Sequence, residues 1–317
     1  MKLIFLRIFT YHPDYDIFII ELETILLATR GYTHNKEGRR INFTIFYFSG
    51  TGNTWWLATN FKEIVEKSGH IVSLHSLDGW KDLDYDAIKE ELIEADAVGI
   101  FHPIYSSDAP PIVRDFLISL PRRIDMGSIG RKEAFVLTTM DVFSGTGCIQ
   151  LQPLLESCNL DLRVARDFQV TSNLGIPILT YNPVETEKLR LRLDKSREEL
   201  EKTCDVIISR GKRIWIQWSL LGRFMGWGQR VGPKFEGRTY RYLGVDPKRC
   251  IMCMECVDNC PTDAITKTDD TLEWTDACTD CFRCYNFCPT QAITVKGRSA
   301  KPGRHRQHTF FKEEFLD

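Results

Sequence analysis

From residue 41 onward the chain alternates between two kinds of pattern. Apolar, β-prone runs at 42–48, 70–73, 97–101, 134–138 and 162–170 read as buried strands. Stretches with helical spacing lie between them, at 54–67, 84–94, 111–119 and 148–158, and a last helix runs from about 183 to 209. Strands alternating with helices predict an α/β fold of parallel βαβ units, a doubly wound five-stranded sheet with helices on both faces. Residues 1–40 fit this less well. "FLRIF" and "DIFIIELETILLAT" read as short strands or as a helix, followed by the polar "RGYTHNKEGRR". This extension is either an accessory element or an upstream mis-start.

The chain has 317 residues, enough for two domains. Its net charge of −2 leaves no global basic field for nucleic acid. Arg7 interrupts the first apolar stretch and no small-residue cleavage site follows, so no signal peptide is expected. Residues 17–29 contain Glu21 and Glu23 and are too few to span a bilayer. Eight of the eleven cysteines lie between Cys250 and Cys288; Cys148, Cys158 and Cys204 are isolated and read as buried thiols. Clustered cysteines without a secretory signal point to a reducing cytoplasm and to metal ligation.

The pattern divides the chain into an extension (1–40), a sheet domain (41–209), a connector (210–242), a cysteine-rich domain (243–296) and a tail (297–317). Between Val206 and Phe235 there are six basic residues, no acidic one and three of the seven tryptophans. This connector is expected to pack the two domains together; docking of an acidic partner and peripheral membrane contact are the other readings. Each flanking piece is acidic, with eight acids against two bases in both 77–96 and 250–289. The basic tail reads as a solvated end.

Residues 250–296 repeat with a period of 28, "CIMCMECVDNCPTDAI" and then "CTDCFRCYNFCPTQAI". Each copy has the spacing C-x2-C-x2-C-x3-C-P. Three cysteines at i, i+3 and i+6 on a tight loop can converge on one cubic cluster, while proline turns the fourth away. Structural zinc usually takes two CxxC pairs instead. The stretch resembles a bacterial-type 2[4Fe–4S] ferredoxin domain. That resemblance implies crossed ligation: Cys250, Cys253, Cys256 and Cys288 on one cluster, and Cys278, Cys281, Cys284 and Cys260 on the other.

The first strand runs into "SGTGNT". A nucleoside-triphosphate loop needs a lysine that is absent here, and Trp55 stands where a dinucleotide fingerprint needs its third glycine. Ser49, Gly50, Thr51, Gly52, Asn53 and Thr54 remain as a cradle of backbone amides and hydroxyls at a helix N-terminus. With no cationic residue nearby in the chain, the turn suits a monophosphate. It resembles the flavodoxin signature through Ser49, Gly52, Thr54 and Ala58, which implies FMN and the strand order 2-1-3-4-5. Two later loops are then expected beside the flavin ring. One, at 102–111, carries Pro103 and Tyr105, with Tyr105 the candidate for stacking. The other, at 138–147, carries Thr139 and Gly145. His102 and Asp141 read as structural, Asp141 through a turn or helix cap.

As a whole, residues 41–296 resemble the flavodoxin–ferredoxin fusion proteins of anaerobes and methanogens. The resemblance implies electron transfer between FMN and two [4Fe–4S] clusters, with redox proteins such as a small ferredoxin, a reductase or a dehydrogenase as partners. A flavin-dependent reductase of a small substrate or NAD(P)H is the alternative, and an iron–sulfur sensor with a degenerate flavin domain is a second. No acid–base dyad or nucleophile stands out.

Overall fold

The computed structural model describes residues 2–12, 17–27, 39–141, 143–171, 186–209, 214–218, 222, 224, 226–228, 239–269, 271–297 and 315. The N-terminal residues form two strands, β1 (Lys2–His12) and β2 (Ile17–Leu27), paired antiparallel from Lys2–Leu27 to His12–Ile17. Five strands follow: β3 (Asn42–Tyr47), β4 (Ile71–Ser76), β5 (Ala97–Pro103), β6 (Lys132–Met140) and β7 (Leu160–Gln169). They are parallel and lie in the order β4-β3-β5-β6-β7, the flavodoxin-like 2-1-3-4-5 arrangement.

The sheet does not end at five strands. β8 (Ile214–Trp218) adds parallel to β7, and β2 adds antiparallel to β8, giving eight strands. Residues 214–218, expected in the connector between the domains, are therefore a sheet strand. The reason is that β7 would otherwise leave a row of unpaired backbone groups. "IWIQW" is β-branched and aromatic, which suits a strand. The extension at 1–40 takes the strand reading.

Helices cover both faces. α1 (Asn53–Lys67) and α6 (Thr186–Ile208) lie on one, over a core that includes Ile45, Leu57, Phe61, Phe101 and Leu200. α2 (Tyr85–Glu94), α3 (Pro111–Arg123), the short α4 (Met126–Ile129) and α5 (Gln152–Ser157) lie on the other, over Phe46, Ile100, Phe116 and Leu155. Neighbours such as Ile45 and Phe46 serve opposite cores because strand side chains alternate. Asp84 starts α2 by accepting hydrogen bonds from the amides of Asp86 and Ala87. The helix expected at 148–158 splits into a 3-10 turn at Gly147–Ile149 and α5, since Pro153 favours a fresh helix start.

The cysteine-rich domain has β9 (Leu243–Val245), α7 (Glu255–Asp258), β10 (Ile265–Lys267), β11 (Leu272–Trp274), α8 (Arg283–Phe287) and β12 (Ile293–Val295). β10 pairs with β11 and β12 with β9, both antiparallel. The sequence period recurs in the backbone. Left-handed φ values occur at Met252 and Asp280, at Met254 and Phe282, and at Asp263 and Gln291, each pair at equivalent positions of the two repeats.

Among the described residues no helix is long and apolar enough to cross a membrane. The tail, expected to be solvated, has one residue described: Phe315 packs against Trp55, with ring centroids 6.2 Å apart.

Candidate functional site

The turn between β3 and α1 is buried: Ser49, Thr51 and Thr54 are each at most 4% exposed. Gly52 caps α1 at φ 107°, a left-handed conformation that favours glycine, and no side chain caps the helix. The Ser49 hydroxyl accepts a hydrogen bond from the Gly52 amide at 3.1 Å, which closes the turn. The Thr54 and Thr139 hydroxyls are 2.8 Å apart, tying the turn to the end of β6, and Asn53 donates its side-chain amide to the Thr171 carbonyl. Helix N-terminal amides and buried hydroxyls around a glycine turn suit a phosphate group, so the residues fit the phosphate end of FMN.

The two loops expected beside the ring meet each other. Pro103 and Thr139 are paired in register, and the Ile104 amide donates to the Thr139 carbonyl. A Cβ on Gly145, at φ 58°, would collide with Ser107 and lie 3.0 Å from Gly226. The connector thus touches this end of the sheet, which its composition did not announce. Tyr105 is held by paired backbone bonds with Asp108. Its hydroxyl points at Gly50, where it would lie 2.5 Å from an added Cβ. Desolvation and the neighbouring Cys281 push this phenol well above its ordinary range. Asp141 is not a cap; it pairs with Arg192 of α6 at 2.7 Å. His102 is fully buried, with Nδ1 2.9 Å from the Pro103 carbonyl, a structural position.

All eleven cysteines are free, and the three isolated ones are buried. The eight others form two neighbourhoods. Cys260 lines a cleft with Cys278, Cys281 and Cys284, and Cys256 also reaches it. Electrostatically, Cys256 feels Cys288, Cys253 and Cys250, whereas Cys284 feels Cys281, Cys278 and Cys260. The fourth cysteine of each repeat therefore sits with the other repeat's three. The amides of Ala264 and Ala292, again equivalent positions of the two repeats, donate to the sulfurs of Cys260 and Cys288 at 3.3 and 3.2 Å. Such bonds favour thiolate ligands. Burial pushes the Cys281 thiol up to about 11, so a cationic metal core is what would hold it as thiolate. Among the described residues no three His, Cys, Asp or Glu side chains form a single-ion site.

The second repeat docks on the phosphate turn. The Cys281 carbonyl oxygen and Cβ would lie 3.2 and 3.4 Å from a Cβ on Gly50. Gly79 donates to the Pro261 carbonyl, and the Ile112 amide at the start of α3 donates to the Thr279 hydroxyl at 3.1 Å. At the centre is Arg283, 4% exposed. Its Nε and one terminal nitrogen donate to the carbonyls of Gly50 (2.9 Å) and Ser49 (2.7 Å). The other terminal nitrogen donates to the Asn259 carbonyl and pairs with Asp78 at 2.8 Å. The Phe315 ring lies 4.9 Å from the guanidinium. The turn therefore does have a cation beside it, brought by the fold from the distant cysteine-rich domain.

A family model for a 4Fe-4S binding domain matches residues 243–266. No curated protein matches the chain. Solved structures similar to it include the rubredoxin oxygen:oxidoreductase of Desulfovibrio gigas, 18% identical with a TM-score of 0.34, covering 54% of this chain. The chain spans only 38% of that protein. A flavodoxin-type WrbA-like protein of Agrobacterium tumefaciens is 19% identical with a TM-score of 0.39, covering 54% of this chain and 99% of its own. General stress protein 14 of Treponema denticola, solved in complex with FMN, is 13% identical with a TM-score of 0.39, covering 52% and 99%.

Proposed function

We propose that the chain is an electron-transfer protein that binds FMN at the 49–54 turn and two [4Fe–4S] clusters. One cluster sits on Cys250, Cys253, Cys256 and Cys288, the other on Cys278, Cys281, Cys284 and Cys260. The observation that carries this reading is the contact of the Cys281 backbone with Gly50, which brings one cysteine set against the 49–54 turn. When bound, the clusters exchange single electrons and FMN one or two, so together they couple one-electron and two-electron carriers.

The chain's own residues supply position and insulation. Ser49, Thr51, Thr54 and the α1 N-terminus hold the phosphate, while Pro103, Tyr105, Thr139 and Gly145 shape the ring side. The amides of Ala264 and Ala292 hold two of the sulfurs, and the half-buried cysteines of the second set are flanked by buried Thr279, Asp280, Phe282 and Arg283. The first set is the outward one: Cys253 is exposed and Ile251 is 65% exposed. A redox partner protein meets the chain there.

The test is iron and flavin quantification on anaerobically purified protein, followed by titration with a one-electron donor. About eight irons and one FMN per chain are expected, from two four-cysteine clusters and one flavin cradle. Iron without flavin, or flavin that stays oxidised while the clusters are reduced, overturns the reading.

A further inference from the structure

Every contact between Arg283 and the phosphate turn falls on a backbone oxygen. In a trans peptide the C=O of one residue and the N–H of the next point in opposite directions. With the Ser49 and Gly50 carbonyls drawn to the guanidinium, the Gly50 and Thr51 amides are turned to the other side of the turn. That is the side that would face a phosphate. Arg283 belongs to the second cysteine repeat, between Cys281 and Cys284. The equivalent position in the first repeat is Glu255, which could not donate to carbonyls.

We infer that Arg283 is a positioning residue that presents the amides of the phosphate turn, so the flavin phosphate site is completed by the cysteine-rich domain. This rests on the reading of 49–54 as the FMN cradle. Three features of the site make the role specific. A planar guanidinium offers two adjacent carbonyls a fixed fork of donors, whereas an ammonium has three rotatable donors on a flexible stem and no fixed fork. Asp78 on the far side fixes its orientation. The Asn259 carbonyl, one residue before Cys260, takes another of its N–H groups. The guanidinium thus joins both cysteine repeats to the phosphate turn, and by linkage the coupling is reciprocal: a folded second set tightens FMN binding, and bound FMN stabilises that set.

The experiment compares wild type, Arg283→Gln, Arg283→Lys and Asp78→Asn in the full chain, purified anaerobically. FMN affinity is read by quenching of flavin fluorescence, iron content by chemical assay, and backbone amide exchange across 49–54 in FMN-free protein. Arg283→Gln is expected to weaken FMN at least about tenfold and to speed exchange of the turn at least about tenfold, since two charge-assisted bonds are lost. Lysine restores part of both. Asp78→Asn removes the charge but keeps an acceptor oxygen that still orients the guanidinium on the two carbonyls, and is expected to stay within about threefold of wild type.

If Arg283→Gln retains iron, wild-type FMN affinity and wild-type exchange, the inference is wrong. It is equally wrong if Asp78→Asn is as damaging as Arg283→Gln, because charge rather than carbonyl placement would then be responsible. If wild type carries iron but binds no FMN, the proposed function fails, while the exchange comparison still decides whether Arg283 sets the turn.

Discussion

Gly50→Ala tests the domain junction with a single methyl group. Gly50 does not occupy a left-handed conformation, so alanine meets no backbone strain there. The cost comes from space. The new Cβ would lie 2.5 Å from the Tyr105 hydroxyl, 3.2 Å from the Cys281 carbonyl oxygen and 3.4 Å from the Cys281 Cβ. The first distance cannot persist, the second is tight, and the third is ordinary contact. Overpacking of this kind costs about 1–3 kcal/mol. The Tyr105 backbone is pinned by two bonds to Asp108, both 2.9 Å, so its ring must tilt rather than move as a whole. Tyr105→Phe removes the clashing atom and leaves the contact with Cys281. Gly50→Ala is therefore expected to cost about 2 kcal/mol in wild type and about 1 kcal/mol in the Tyr105→Phe background, a coupling of about 1 kcal/mol. Urea unfolding of all four proteins under anaerobic conditions measures it. Equal costs in the two backgrounds would show that the Tyr105 hydroxyl does not face Gly50.

Other outcomes follow from the same geometry. Cys260→Ala is expected to abolish the electron paramagnetic resonance signal of the cluster on Cys278, Cys281 and Cys284 while sparing the other, and Cys288→Ala to do the reverse; the opposite pattern would refute the crossed ligand sets. Thr54→Val strands the buried Thr139 hydroxyl, costing about 1–3 kcal/mol in urea unfolding and weakening FMN. Burial lowers the His102 pKa from 6.5 to about 4. The folded state thus rejects a proton that the unfolded chain accepts, so this stability is complete above pH 6.5 and is lost as pH falls towards 4. Between pH 7.5 and pH 5 it amounts to about 2 kcal/mol. His102→Asn should remove that part of the pH dependence in unfolding curves, and an unchanged slope would place the effect elsewhere.

The parts of the fold legible in the sequence are those set by local pattern. The central strands β3, β5 and β6 are buried along most of both faces and so read as apolar runs, whereas β4 at the sheet edge buries only Val72; the expected bounds of all five strands lie within a few residues of the observed ones. The cysteine spacing and the glycine turn carry their chemistry in short motifs. What escaped depends on pairing between distant segments. β8 is short, and nothing within "IWIQW" says that its partner is β7. Asp141 finds Arg192 on α6, where local reasoning offers only a turn or a cap. Arg283 is distant in sequence from the turn it touches, so an argument from the turn's neighbours misses it. One signal was available: aligning the two repeats on their cysteines sets Arg283 opposite Glu255, a reversal of charge between equivalent positions.

That difference belongs to a wider break in symmetry. The repeats share a backbone, down to three pairs of left-handed residues, yet their environments diverge. Ile251 is 65% exposed, whereas its counterpart Thr279 is 2% exposed and bonded to the start of α3. Cys253 is exposed, whereas Cys281 lies against Gly50. Asp258 is exposed and Asn286 buried. Duplication alone would yield two equivalent cysteine sets, each as able as the other to meet a partner. The first copy reaches the sheet domain through the Pro261 carbonyl, whereas the second copy brings side chains: a hydroxyl for a helix amide, and a guanidinium for two carbonyls. The first copy keeps an apolar side chain and a carboxylate at the same places. A few differences between the repeats are thus enough to give a symmetric pair of cysteine sets an inner and an outer end, with the 49–54 turn at the inner one.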